Sequence, residues 1–367
     1  MASSSVGEPT NFLVNVKRSC RHAGPLTDRS ARNTFMPRSA PAAPRRRLAD
    51  LGRIPCRLCK MAGLATRMTT PLVSIVIPTY ARPERLRDCL AALARQTMPA
   101  DAFEVVVVDD GSPQPVVPPE ITTPAGPTIR IIRQPNAGPS AARNRGVQEA
   151  RGELVALTDD DCRPTPTWLE SLIAAHRQCT DALVGGIACN GLPDDLFATT
   201  SQMIIDLVYD HFNRDHAAAY FLTSNNILCS RVAYSELGGF DTTFFRAGAE
   251  DRDFCDRWRA SGRPLRLVPA ATLEHRHAQN LRQFLELHYR YGRGAYIYQA
   301  KRRRRGTGTM QADMHFHRSL IRQLPRHLRR HRGLARKAQI TAAIVLWQGA
   351  NAAGFFREAA VRRMECG

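Results

Sequence analysis

Three consecutive aspartates, Asp159, Asp160 and Asp161, follow the apolar run Leu154–Leu157 in the stretch LVALTDDDCRP. Carboxylates this close repel one another, so the triplet needs a cation or a cage of hydrogen bonds. In an extended chain Asp159 and Asp161 point to the same side. A pair of hard oxygen ligands with open positions left over suits Mg2+ or Mn2+ bound jointly with a substrate's phosphates. Taken alone, the triplet reads equally as a solvated acidic turn, with Asp161 or Thr165 capping the next helix.

Three other stretches carry groups of the same kind. In VVVVDDGS, Asp109 and Asp110 end an apolar run, where a carboxylate accepts hydrogen bonds from a base or ribose; an ordinary Asp-Gly turn is the alternative. NAGPSAARNRG offers a glycine turn, a helix start at Pro139 or Ser140, and Arg143. A helix amino end beside an arginine suits a diphosphate, although Arg143 also reads as a surface residue. AGAEDRDFCDRW carries Glu250, Asp251, Asp253 and Asp256, with Phe254 and Trp258 marking the packed face. Acids at a helix start favour its dipole. They also suit a general base beside an acceptor hydroxyl. In LEHRH, His275 and His277 follow the strand LRLVP and suit a metal or a phosphate; singly, each reads as a surface imidazole.

The elements that must position these groups alternate. VSIVIP, FEVVVVDD, TIRIIRQP and ELVALTDDD read as strands, the second nearly all apolar, as a parallel strand covered on both faces must be. ERLRDCLAALARQ and PSAARNRGVQEA read as helices. The order predicts an α/β fold, a mixed and mostly parallel sheet flanked by helices. Ligands of such sheets bind beyond the carboxyl ends of the strands, where both aspartate groups fall. Further along come the helix TWLESLIAAHRQ, the strand ALVGGIA, a region without motifs over 190–225, a helix from Glu250 to about Ser261 and the strand PLRLVP.

Charge divides the chain of 367 residues, whose formal net charge is +19. Residues 1–68 carry net +10, residues 69–275 net −7, and residues 276–367 net +16. An acidic middle between basic ends argues against a nucleic-acid or anionic-polymer binder, which carries its basic face on the folded domain. The basic ends suit an anionic membrane surface instead. The expected domains are a basic, structureless extension over 1–68, a sheet domain over 69–279 and a basic helical region over 280–367. ITAAIVLWQGANAAGFF is short for a membrane span and holds Gln348 and Asn351, so it reads as an interfacial or docking helix. Ten scattered cysteines predict buried thiols in a reducing compartment, and the lone pair Cys56 and Cys59 a weak case for zinc. The location expected is cytoplasmic, peripheral on the inner face of the plasma membrane.

In their order, VSIVIPTYARPERLRDCLAAL, VVVVDDGS, NAGPSAARNRGVQEARGELVALTDDDCRPTPTWL, NNILCSRVAYSELGGFDTTFFRAGAEDRDFCDRWRASG and LVPAATLEH resemble glycosyltransferase family 2, over about residues 72–277. The resemblance implies the GT-A fold and an inverting transferase. Its donor would be a nucleotide-diphosphate sugar and its acceptor a hydroxyl on a cell-envelope glycan or lipid-linked molecule. By motif position, Pro78, Thr79, Tyr80, Arg82, Asp109, Asp110, Arg143 and Asp160 would border the nucleotide. Asp159 and Asp161 would hold Mn2+ or Mg2+, with His275 approaching the metal or a phosphate. Asp251 would be the catalytic base and Glu250 its helper. The triplet departs from many members in its last residue, which leaves open whether Asp160 or Asp161 makes the tighter contact. A catalytically silent scaffold of the same fold is the remaining alternative.

Overall fold

The computed structural model describes residues 70–117, 126–244, 248–308 and 310–365. These fall within one compact unit, Arg67–Gly367. The extension expected over 1–68, with Cys56 and Cys59, lies outside the described residues.

The apolar runs form the centre of the sheet. Strands β1 (Val73–Thr79) and β2 (Phe103–Asp109) pair in parallel, with Thr79 opposite Asp109. Strand β3 (Thr128–Arg133) lies beyond β2, and β4 (Leu154–Leu157) flanks β1 on the other side, both parallel. The carboxyl ends of β1, β2 and β4 therefore sit side by side and bring the two aspartate groups to one edge. Helices α1 (Pro83–Leu93) and α3 (Trp168–Gln178) bury Leu86, Leu90, Trp168 and Leu172 against one face of the sheet. Helix α2 (Pro139–Glu149) covers the other face with Ala142 and Val147.

The second half extends the sheet with mixed polarity. It runs through β5 (Cys162–Pro164), β6 (Leu183–Asn190), α4 (Leu196–Phe212), β7 (Ile227–Ser230), α5 (Arg231–Glu236), α6 (Glu250–Ala260) and β8 (Leu265–His275). The order across the sheet is β3-β2-β1-β4-β7-β6-β8-β5, with β7 antiparallel to both neighbours. The strand read from the sequence as ending at Pro269 continues to His275. Its pairing with β6 shifts register between Gly185 and Ile187, an irregularity that absorbs the proline and lets β8 resume. His275 thus closes a strand, opposite Cys162 of β5. Helix α4 falls in the region where the sequence offered no motif.

The tail folds onto the sheet unit. It forms α7 (Leu281–Arg305), α8 (Met310–Leu328) and α9 (Leu334–Glu365). Phe284, Phe316, Ile340 and Trp347 join the core that also holds α2, α4 and α6. Helices α7 and α9 cross at near-backbone contact. A Cβ on Gly292 would fall 1.9 Å from the Asn351 carbonyl oxygen, and one on Gly354 would fall 1.9 Å from that of Tyr289. No helix among the described residues is long and apolar enough to cross a membrane. Part of the basic run at the end of α7 is turned inward. Arg305 donates to Asp253 at 2.8 Å and to Asp256 at 2.9 Å, Arg302 is buried beside Asp256, and Lys301 pairs with Asp241. Arg303 and Arg304 remain exposed. Cys89, Cys162, Cys229 and Cys255 are buried thiols, as the sequence reading expects.

Candidate active site

At the carboxyl edge of β1, β2 and β4 lies a cavity of about 730 Å3. Its wall includes Pro78, Thr79, Tyr80, Arg82, Asp110, Arg143, the whole triplet, Glu250, Asp251 and His275. Twelve of the thirteen residues singled out as nucleotide, catalytic or metal sites are thereby joined in one concave space, and Asp109 is the one that does not line it. The Asp109 carboxylate is buried and accepts from the backbone amides of Ser112 at 2.9 Å and Val116 at 3.3 Å, with Arg133 alongside. It closes its own turn. Although burial opposes its charge, those hydrogen bonds hold its pKa below the usual carboxylate range. Asp110 faces the cavity and is braced by the amides of Ala137 and Gly138 and by Gln134, at 2.8–2.9 Å.

The triplet separates into three environments. Asp159 accepts from Arg143 at 2.7 Å. Asp160 turns toward β1, where Thr79 donates to it at 2.7 Å and Arg82 at 3.3 Å. Burial pushes the Asp160 carboxyl up to about 6 against the pull of Arg82. Asp161 is surrounded by basic side chains: His275 Nε2 at 3.3 Å, His277 Nδ1 at 3.0 Å, Arg85 at 3.5 Å and Arg82 at 3.7 Å. Burial opposes its charge, but His275 and His277 hold it well below the usual carboxylate range. Burial likewise opposes a charge on His275, which Asp161 favours enough to raise its pKa.

Arg143 links the triplet to helix α6. It is buried, donates to Asp159, and lies 3.6 Å from Glu250 Oε1. Glu250 also accepts from the Gly248 amide at 2.8 Å, and so fixes the turn that starts α6. That turn holds Ala249 in the left-handed region, φ 67°, a strained setting for a residue with a Cβ and one found at functional sites. Asp251 follows, partly buried, accepting from the Arg252 amide at 2.8 Å. Burial, then the charge of Glu250, pushes its carboxyl up to about 7, a value suited to a base working near neutral pH.

The donor set fits a hard divalent ion. Asp161 Oδ1, Cys162 Sγ and a His275 ring nitrogen lie within 4.8 Å of one another. The 3.3 Å between Asp161 Oδ1 and His275 Nε2 is close to the roughly 3 Å that separates neighbouring ligands of an octahedral ion with bonds of about 2.1 Å. Cys162 is buried, and burial raises its thiol pKa well above normal, so it stays a soft, protonated neighbour unsuited to Mg2+ or Mn2+.

Other wall residues come from helices the motifs do not reach. Helix α4 gives Gln202, Ile204, Ile205 and Val208; α7 gives His288 and Tyr291; α9 gives Trp347 and Asn351. The one signal for the last pair is their spacing of four, which puts both on one helix face. Burial lowers the His288 imidazole to about 4, so it is neutral at physiological pH.

Residues 74–238 match the profile of the family described as Glycosyl transferase family 2. The chain is 31% identical over 304 residues to the pre-mycofactocin glycosyltransferase of Mycobacterium tuberculosis, the match covering 78% of this chain and 63% of that relative. It is 28% identical over 240 residues to the validoxylamine A glucosyltransferase of Streptomyces hygroscopicus, covering 58% of this chain and 52% of that one. The chain thus spans less than two thirds of the length of these relatives. A mannosyltransferase from Pyrobaculum calidifontis, solved in complex with GDP-Man and Mn2+, superposes with a TM-score of 0.53 at 20% identity, over 81% of this chain and 88% of that one. That likeness supports a GT-A fold for the sheet described above. Residues 74–238 thus form a glycosyltransferase family 2 region, in keeping with the relatives matched.

Proposed function

We propose that the chain transfers a sugar, with inversion, from a nucleotide-diphosphate sugar to a hydroxyl acceptor. One observation carries the reading: buried Arg143 ties Asp159 of the triplet to Glu250, directly beside Asp251. The acids at the sheet edge and the candidate base thereby address one reacting centre. Thr79, Tyr80, Arg82 and Asp110 border the nucleotide. Arg143 faces the diphosphate and offsets the charge that grows on it as the glycosidic bond breaks. Asp251 takes the proton of the acceptor hydroxyl as its oxygen attacks the anomeric carbon from the opposite face. Glu250 holds Arg143 and the turn before Asp251 in place. Asp161 and His275, with Asp159 beside them, would hold Mn2+ or Mg2+, which when bound supplies further positive charge against the diphosphate. The fully provided acidic constellation favours an active enzyme over a silent scaffold.

The acceptor belongs to the cell envelope on this reading, a glycan or a lipid-linked molecule. Exposed apolar side chains among exposed arginines on the tail, Ile321 at 72% and Leu334 at 86% beside Arg322 and Arg332, favour peripheral contact with an anionic membrane. Calorimetric titration with UDP and with GDP, each with and without Mn2+, tests the core of the reading. Metal-dependent binding of one nucleotide is expected; binding of neither overturns it.

A further inference from the structure

We infer that the helical end of the cavity is the acceptor subsite, built for a hydroxyl carried on an apolar framework and addressed by His288. The inference rests on the sugar-transfer reading above and specifies its acceptor. Three features support it.

The first is composition. Ile204, Ile205 and Val208 of α4 face the cavity together with Tyr291 of α7 and Trp347 of α9. Two of the polar side chains at this end are already engaged: Gln202 donates to the Ala188 carbonyl and to Asp206, and Ser201 donates to Gln279. A polyhydroxylated ligand needs a row of available polar partners, and an apolar framework does not.

The second is His288. It is 3% exposed and lines the cavity, and neither ring nitrogen has a hydrogen-bond partner among the described residues. Its ring is fixed edge-to-face by Phe284 at 4.4 Å, with Tyr291 at 5.6 Å and Trp347 at 6.2 Å. A buried imidazole with both nitrogens unmatched is costly, and a fold keeps one where a ligand supplies the partner. Neutral imidazole offers one donor and one acceptor, the complement of a hydroxyl.

The third is position. Tyr291 lines the same cavity as Glu250 and Asp251, and α7 packs against the turn that starts α6: a Cβ on Gly248 would fall 3.1 Å from the Arg290 carbonyl oxygen. This end of the cavity therefore faces the candidate base, where the attacking hydroxyl must lie. The strand-end wall of Thr79, Arg82 and Asp110 is left to the nucleotide.

The test is calorimetric titration of the full chain with 4-methylumbelliferone, a small aromatic alcohol, and with maltotriose, a polyhydroxylated one. Each is run alone and with UDP or GDP and Mn2+. Farnesol as a third probe separates an isoprenoid framework from an aromatic one, and binding of either supports the subsite. The apolar alcohols should bind at least tenfold more tightly than maltotriose. His288→Phe removes both nitrogens and keeps an apolar ring. It should weaken the alcohols about tenfold, leave nucleotide binding unchanged, and leave the melting temperature unchanged or raised. Maltotriose binding as tightly as the alcohols overturns the inference, as does unchanged alcohol affinity in His288→Phe. Loss of melting temperature without loss of affinity assigns His288 a packing role and also overturns it. If neither nucleotide binds, the transfer reading fails, and the titrations without nucleotide still judge the subsite.

Discussion

The strand-end wall of the cavity and its helical wall are made by opposite means. Thr79, Asp110 and Asp159–Asp161 stand at the tips of β1, β2 and β4, each within a few residues of the strand that aims it. His288, Tyr291, Trp347 and Asn351 are delivered by two helices that pack against each other across more than fifty residues of chain. In the first case a short motif holds both the reactive group and the element that positions it. In the second, positioning depends on a tertiary crossing at Gly292 and Gly354. A local motif can be read from a chain, and a tertiary crossing cannot.

That difference sets what the sequence made legible. The first four strands follow from their apolar runs, the helix from Glu250 from its packed Phe254 and Trp258, and the joining of both acidic groups at one sheet edge from the two runs that end in aspartates. Asp109 and Asp110 show the limit of such reading: adjacent carboxylates at one strand end point in different directions, one into a turn and one into the cavity. Alternation along a strand says they must diverge, but not which one faces the ligand. The basic run Lys301–Arg305 shows a second limit. Composition reads it as one charged patch, yet Arg302 and Arg305 neutralise the buried Asp253 and Asp256 of the helix that carries Asp251, while Arg303 and Arg304 stay in water. The tail over 280–367 reads from its composition as a basic helical region, yet Phe316, Ile340 and Trp347 place part of it in the core.

The contrast between the two walls can be broken or sharpened by experiment. Chelation should have the largest effect: EDTA abolishes sugar transfer and Mn2+ or Mg2+ restores it, and full activity in chelator would remove Asp161 and His275 from metal binding. Gly354→Val strikes the helical wall alone. Forcing α7 and α9 apart should cost about 1–3 kcal/mol in urea unfolding. It should weaken acceptor use more than tenfold while nucleotide affinity stays within twofold; equal losses at both ends would show that the walls are one unit.

Asp251 predicts a pH profile. Its carboxyl, raised to about 7 by burial and Glu250 and opposed by Arg252 and Arg143, acts as a base only when ionised. Tyr291, on the same cavity wall, stays neutral: desolvation, then the charges of Glu250 and Asp251, raises its phenol pKa. Transfer should therefore fall about tenfold per unit below pH 7 and level off above it. The same shift means that ionising Asp251 costs the fold stability as pH climbs from about 4, its unfolded value, to 7. A flat rate profile from pH 5.5 to 8 would contradict this assignment. The smallest effect belongs to Arg303→Ala with Arg304→Ala: unfolding free energy should move by less than about 0.5 kcal/mol. Pelleting with phosphatidylserine vesicles should weaken, since each basic residue near such a surface contributes about 1 kcal/mol. Unchanged pelleting would place the membrane contact elsewhere.

The central claim is that the acids at the sheet edge grip the donor while Asp251 alone removes the acceptor proton. It is tested most directly by Asp251→Asn, with donor affinity and turnover measured on the same preparation. The account predicts nucleotide binding within twofold of wild type and turnover lower by about 10²–10⁴-fold. Turnover near the wild-type rate, or loss of nucleotide binding in step with turnover, would contradict it.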